Sequence, residues 1–97
     1  MRPILHVVAH IEAVPGFEAE VLSVLKSYLE PTRAEKGCLR YDLFQDNSDT
    51  KKFTFIEEWE SKEDLDAHAK SAHLAAGRIA LEGKKASQWV QLLTQLG

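Results

Sequence analysis

No second cysteine accompanies Cys38, so the chain has neither an internal disulfide nor a thiol pair for zinc. A reducing compartment, the cytoplasm, is the expected setting. No apolar run approaches the roughly 18 residues needed to cross a bilayer, so no membrane span is expected. The opening stretch MRPILHVVAH interrupts its apolar residues with His6 and His10 and offers no small-residue cleavage site. It therefore does not read as a secretory leader. Neither sign of charge dominates: 12 Lys and Arg against 15 Asp and Glu leave a net charge of −3. The basic residues are scattered, which argues against nucleic acid or a membrane surface as partner. Phosphate-cradling glycine loops, dinucleotide fingerprints and nucleophile elbows are all missing.

What is present is ordinary globular material, 44 % hydrophobic and 28 % charged with no low-complexity tract, which excludes disorder. Ninety-seven residues fit a single domain, 1–97. A chain this small gains stability from a partner subunit, so a homo-oligomer is expected.

Leu5, Val7, Ala9 and Ile11 alternate with His6, Val8, His10 and Glu12, the period of a strand. After Pro15-Gly16, the residues Phe17, Val21, Val24, Leu25 and Tyr28 form one helical stripe. That helix is expected to fade near Gly37, with Pro31 perturbing its last turns. Leu39, Tyr41 and Leu43 alternate in a second strand, NSDT supplies turn chemistry, and Phe53, Phe55, Glu57 and Trp59 share one face of a third. Ser61 with Asp64 forms a capping-box variant that opens a second helix, whose stripe reads Leu65, Ala69, Ala72, Ala76 and Ile79 or Ala80, with its continuity past Ser71 left open by the pattern. The stretch KASQWVQLLTQL is apolar enough for a last strand, although the periodicity of WVQLL also fits a helix. The order βαββαβ predicts an α+β, ferredoxin-like split βαβ fold, with both helices on one sheet face. The other face requires a cover, which a second copy in a two-fold dimer would provide.

Four histidines and one acid carry the candidate chemistry. His68 and His73 lie five residues apart, about 140° around an uninterrupted helix, whereas paired metal ligands usually sit at i, i+4. On that geometry no metal is expected. Each reads either as a half-buried packing residue or as a hydrogen-bonding, proton-transferring group at a cavity mouth. His6 and His10 share the strand face opposite the most apolar one, facing an interface or a cavity. Glu57 stands between Phe55 and Trp59, where burial raises a carboxyl pKa unless a cation such as Arg40 pairs with it. Trp59 reads as core or as the wall of a cavity for a flat substrate.

The runs EKGCLRYDLFQD and FIEEWESKEDLDAHAKSAH, within this strand order, resemble the antibiotic biosynthesis monooxygenase domain family and its quinol monooxygenase-like members. The specific parts are Glu35, Gly37, Cys38 and Tyr41, then Glu57, Trp59, Ser61, Leu65, His68 and His73. The resemblance implies a dimeric α+β barrel. It also implies oxygenation of a small aromatic, phenolic or quinol substrate by O2 without cofactor. A deprotonated aromatic can itself reduce O2, so the protein supplies a dry cavity, a base and hydrogen bonds. By position, His68 and His73 would orient or deprotonate the substrate with Glu57 as a further catalytic candidate, while Trp59, His6, His10, Tyr41 and Phe55 are candidate substrate contacts. Relatives that degrade haem use a first-strand asparagine and a helix histidine; this chain has no such asparagine and places Arg78 near the ligand position. Relatives that isomerise a phosphorylated sugar derivative keep similar histidines. Isomerisation, and a non-catalytic ligand-binding dimer, therefore stay open at this point.

Overall fold

The computed structural model describes residues 3–97. Its elements are β1 (Leu5–Ala13), α1 (Glu18–Ser27), α2 (Leu29–Arg33), β2 (Cys38–Gln45), β3 (Lys52–Trp59), α3 (Lys62–Ala69), α4 (Ala72–Ala80) and β4 (Lys85–Leu93). The four strands form one antiparallel sheet in the order β2-β3-β1-β4, the ferredoxin-like arrangement that the alternating segments predict. Among the described residues, no helix is long and apolar enough to cross a membrane.

Strand register decides which side chains meet. Val7 stands opposite Glu57, Ala9 opposite Phe55 and Ile11 opposite Phe53, all on the face that the helices cover. Tyr41 lies beside Glu57 and Leu43 beside Phe55 on the same face. The covered face and the stripe Val21, Leu25 and Tyr28 make the buried core.

Three local departures from simple periodicity shape this frame. Pro31 would set its ring against the carbonyl of Ser27 in a continuous helix. The chain instead breaks at Tyr28, whose N–H bonds the carbonyl of Leu25, and restarts as α2. A register shift between Cys38 and Arg40 turns Leu39 outward, where it is 48 % exposed despite its place in the apolar alternation. Ser61 accepts from the backbone N–H of Asp64 at 3.1 Å, starting α3 as the capping signature predicts.

The break near Ser71 has the largest consequence. Lys70 and Ser71 bond back to the carbonyls of Ala67 and His68, and Ser71 then adopts an extended conformation (ψ 152°) before α4 begins. This resets the helical phase, so the expected stripe of Ala72, Ala76 and Ile79 faces outward. Leu74, Gly77 and Leu81 face inward in its place. Gly77 is required there, because a Cβ would collide with the Tyr28 hydroxyl.

Candidate functional site

Between the covered sheet face and the helices lies a cavity of about 470 Å³. Its floor is Val7, Ala9, Ile11 and Phe55; Leu25, Leu65 and Leu74 form much of its helical wall. Val90 and Leu92 of the edge strand β4 face it but stay half exposed, so the cavity is open along that side. One polar group is built from Tyr41, Glu57 and His68, and Lys62, Asp66, Arg78, Lys85 and Gln88 also line the cavity. A volume of this size suits a small organic molecule, held by apolar walls and oriented by a few polar groups.

Glu57 is 4 % exposed, and its Oε1 accepts a 2.9 Å hydrogen bond from the indole N–H of Trp59. Arg40 is not its partner: it points to the other sheet face and pairs with Asp42 at 2.8 Å and Glu58 at 3.8 Å. Burial pushes the Glu57 carboxyl up to about 7, the Trp59 bond opposes that rise, and the charge of Glu35 adds to it. Glu57 therefore exchanges its proton near neutrality, the range in which a general base works best.

The same shift fixes a stability profile. Between the ordinary value of 4.5 and about 7, the folded chain holds a proton that the unfolded chain has lost. Stability from this group is thus full at low pH and lost as pH rises through the folded value, by about 3 kcal/mol. Urea unfolding of the wild type and Glu57→Gln is expected to show the wild type losing that amount relative to the variant from about pH 4 to about pH 8. Parallel profiles would show that Glu57 is not the buried acid described.

The break between α3 and α4 brings the two helix histidines together, which the uninterrupted-helix geometry would not. His68 Nδ1 lies 2.8 Å and His73 Nε2 3.2 Å from the same oxygen, Glu35 Oε1. His73 Nε2 also lies 2.9 Å from Thr32 Oγ1. Thr32 is fully buried. Thr32, His73, Glu35 and His68 thus form one polar chain, of which His68 lines the cavity.

His68 is 5 % exposed and packs between Trp59, with ring centroids 4.8 Å apart, and Tyr41 at 5.4 Å. Burial holds its pKa below the ordinary value despite the opposing pull of Glu35. A neutral ring donating Nδ1–H to Glu35 keeps Nε2 free as an acceptor. Burial also raises the pKa of the Tyr41 phenol, first through lost hydration and then through the charge of Glu57. Tyr41 is therefore a protonated hydrogen-bond donor at neutral pH.

The remaining candidates separate clearly. Phe55 lines the cavity and stacks on Tyr41 at 4.7 Å. Trp59, fully buried, stands behind Glu57 and His68 rather than on the wall. His73 does not line the cavity and shares the Glu35 carboxylate with His68. His6 and His10 lie on the opposite sheet face, where His10 stacks on Trp89 at 4.0 Å. The sheet separates both from the cavity within this chain. Periodicity alone gave no role to Glu35 or Thr32; the one signal was the place of Glu35 in the EKGC run.

Comparison with known proteins agrees with this architecture. Residues 4–80 match the family model described as antibiotic biosynthesis monooxygenase. The Bacillus subtilis protein named "Putative monooxygenase YcnE" is 32 % identical over 67 % of this chain and 68 % of its own length. A Synechocystis protein without an assigned function is 31 % identical over 64 % of this chain, a match spanning only 42 % of that longer protein. The crystal structure of PA3566 from Pseudomonas aeruginosa superposes with a TM-score of 0.96 at 32 % identity, covering 100 % of this chain and 98 % of that one. With a family match across most of its length and a near-complete structural match, this chain belongs to the antibiotic biosynthesis monooxygenase family.

Proposed function

We propose that the chain is a cofactor-independent monooxygenase that oxidises a small aromatic phenol or quinol with O2. The observation that carries this reading is the cavity itself: a largely apolar space for a flat ring, ending in Tyr41, Glu57 and His68. A quinol bound with one hydroxyl at that end would lose its proton to His68 or Glu57, while Tyr41 would donate to the resulting oxyanion. The electron-rich ring then reduces O2. One oxygen atom enters the ring and the other leaves as water, the quinol supplying both electrons and both protons of that water.

The apolar floor suits an aromatic ring, while Lys62, Arg78 and Lys85, which also line the cavity, would suit the phosphate of a phosphorylated sugar, so turnover without O2 is what separates the isomerase reading from this one. The open volume also distinguishes the site from a barrel packed shut by its aromatics. On the other sheet face, His6, His10, Phe44, Ile56 and Trp89 would meet a second copy in a two-fold dimer. Sedimentation at micromolar concentration is expected to give the dimer mass, and a monomer would remove that part of the reading.

The test is oxygen uptake by chelator-treated protein given a reduced naphthoquinol under ¹⁸O2, corrected for autoxidation. Protein-dependent uptake with one labelled atom in a hydroxylated quinone is the expected result. Uptake that yields only peroxide and unlabelled quinone, or none above background, would overturn the proposal.

A further inference from the structure

We propose that Glu35, His68 and His73 form a binding site for a single divalent first-row transition ion, with Zn²⁺ as the best fit. Glu35, His68 and His73 each offer one ligand atom, and the three atoms lie within 4.8 Å of one another. They reach this arrangement from three different segments, the loop after α2, α3 and α4, because the chain breaks at Lys70-Ser71. Bonds of about 2.0–2.2 Å in a tetrahedral site place neighbouring ligand atoms roughly 3.3–3.5 Å apart. The oxygen here lies 2.8 Å from one nitrogen and 3.2 Å from the other, and all three donors lie within 4.8 Å of one another, so an ion entering between them requires the two rings to draw together around it.

The donor set selects the ion class. Two imidazoles and one carboxylate suit Zn²⁺, Co²⁺ and Ni²⁺, and offer too few oxygens for Ca²⁺ or Mg²⁺. Both rings coordinate once their protons move to the distal nitrogens, Nε2 of His68 and Nδ1 of His73, so the ion-bound form loses the His68 acceptor and keeps Glu57 as the base on the cavity wall. Packing fixes His68 between Trp59 and Tyr41, while the Thr32 hydroxyl, 2.9 Å from His73 Nε2, is displaced from that nitrogen when the ion binds. Access is available, because the side chains of His73 and Glu35 are 22 % and 19 % exposed. Three protein ligands leave a fourth position for water.

The experiment is titration of chelator-treated protein with Co²⁺, read by its visible ligand-field bands, followed by displacement with Zn²⁺. Saturation at one Co²⁺ per chain, reversed by stoichiometric Zn²⁺, is expected. His73→Gln and Glu35→Gln, each checked for native circular dichroism, are expected to weaken binding by more than the roughly 10–100-fold that loss of a supporting group costs. The His6→Ala/His10→Ala double variant keeps the bands, because those residues lie on the other sheet face. Featureless spectra at stoichiometric Co²⁺, or binding unchanged in both triad variants, would overturn the site. The readout does not use turnover, so it stands or falls independently of the proposed oxygenase reaction.

Discussion

His68→Ala is expected to lower protein-dependent oxidation of a reduced naphthoquinol by about 10²–10⁴-fold, the range a positioned acid–base group supplies. The size of the effect follows from where the ring stands. It lines the cavity, it is 5 % exposed, and its Nδ1–H is committed to Glu35 at 2.8 Å. Removing it takes away the acceptor facing the substrate and leaves Glu35 without one of its two histidine partners. His73→Ala removes only the other partner, which does not line the cavity. Its effect is expected to be about tenfold, near the lower end of what supporting groups contribute. Steady-state rates of both variants, with circular dichroism to confirm folding, check the order. Equal rates for His68→Ala and the wild type would remove His68 from the chemistry and leave Glu57 as the remaining base on the cavity wall.

That ordering of the histidines was not readable from spacing. The sequence placed them five apart and left open whether the helix between them was continuous. The break at Lys70-Ser71 turns an angle of about 140° into a shared carboxylate partner. Glu35 and Thr32 escaped periodicity for a related reason: their contacts with His68 and His73 span 33 and 41 residues, and no local pattern encodes such distances. By contrast, the strand order and the inward facing of Glu57 were legible, because a period of two carries facing directly. The same rule argues against Arg40 as the partner of Glu57. If Tyr41 and Glu57 both face inward, Arg40 must face out, where it meets Asp42 and Glu58. Leu39 broke the rule because a register shift beside Cys38 added a residue that the alternation could not anticipate.

Trp59→Ala is expected to be the most destabilising single substitution in the molecule. The indole is fully buried, and truncating a residue of this size costs about 3–5 kcal/mol through lost contacts and the void left behind. A second cost comes from Glu57. Its carboxyl oxygen would lose the indole N–H and stay buried without that partner, a further 1–3 kcal/mol or so. Against a total stability of about 5–15 kcal/mol for a domain of this size, the variant should unfold at a fraction of the wild-type denaturant midpoint. Trp59→Phe separates the two contributions, since it retains much of the aromatic volume and removes the N–H. It is expected to cost about 1–3 kcal/mol near pH 6 and more near pH 8. The sign follows from the bond itself: the Trp59 N–H is what lowers the Glu57 pKa against burial, so its loss pushes the carboxyl above about 7 and makes ionisation at pH 8 more costly. Urea unfolding at the two pH values measures the gap. If Trp59→Phe loses the same stability at both, the bond from indole to carboxyl does not tune Glu57, and Trp59 serves the site by packing against His68 alone.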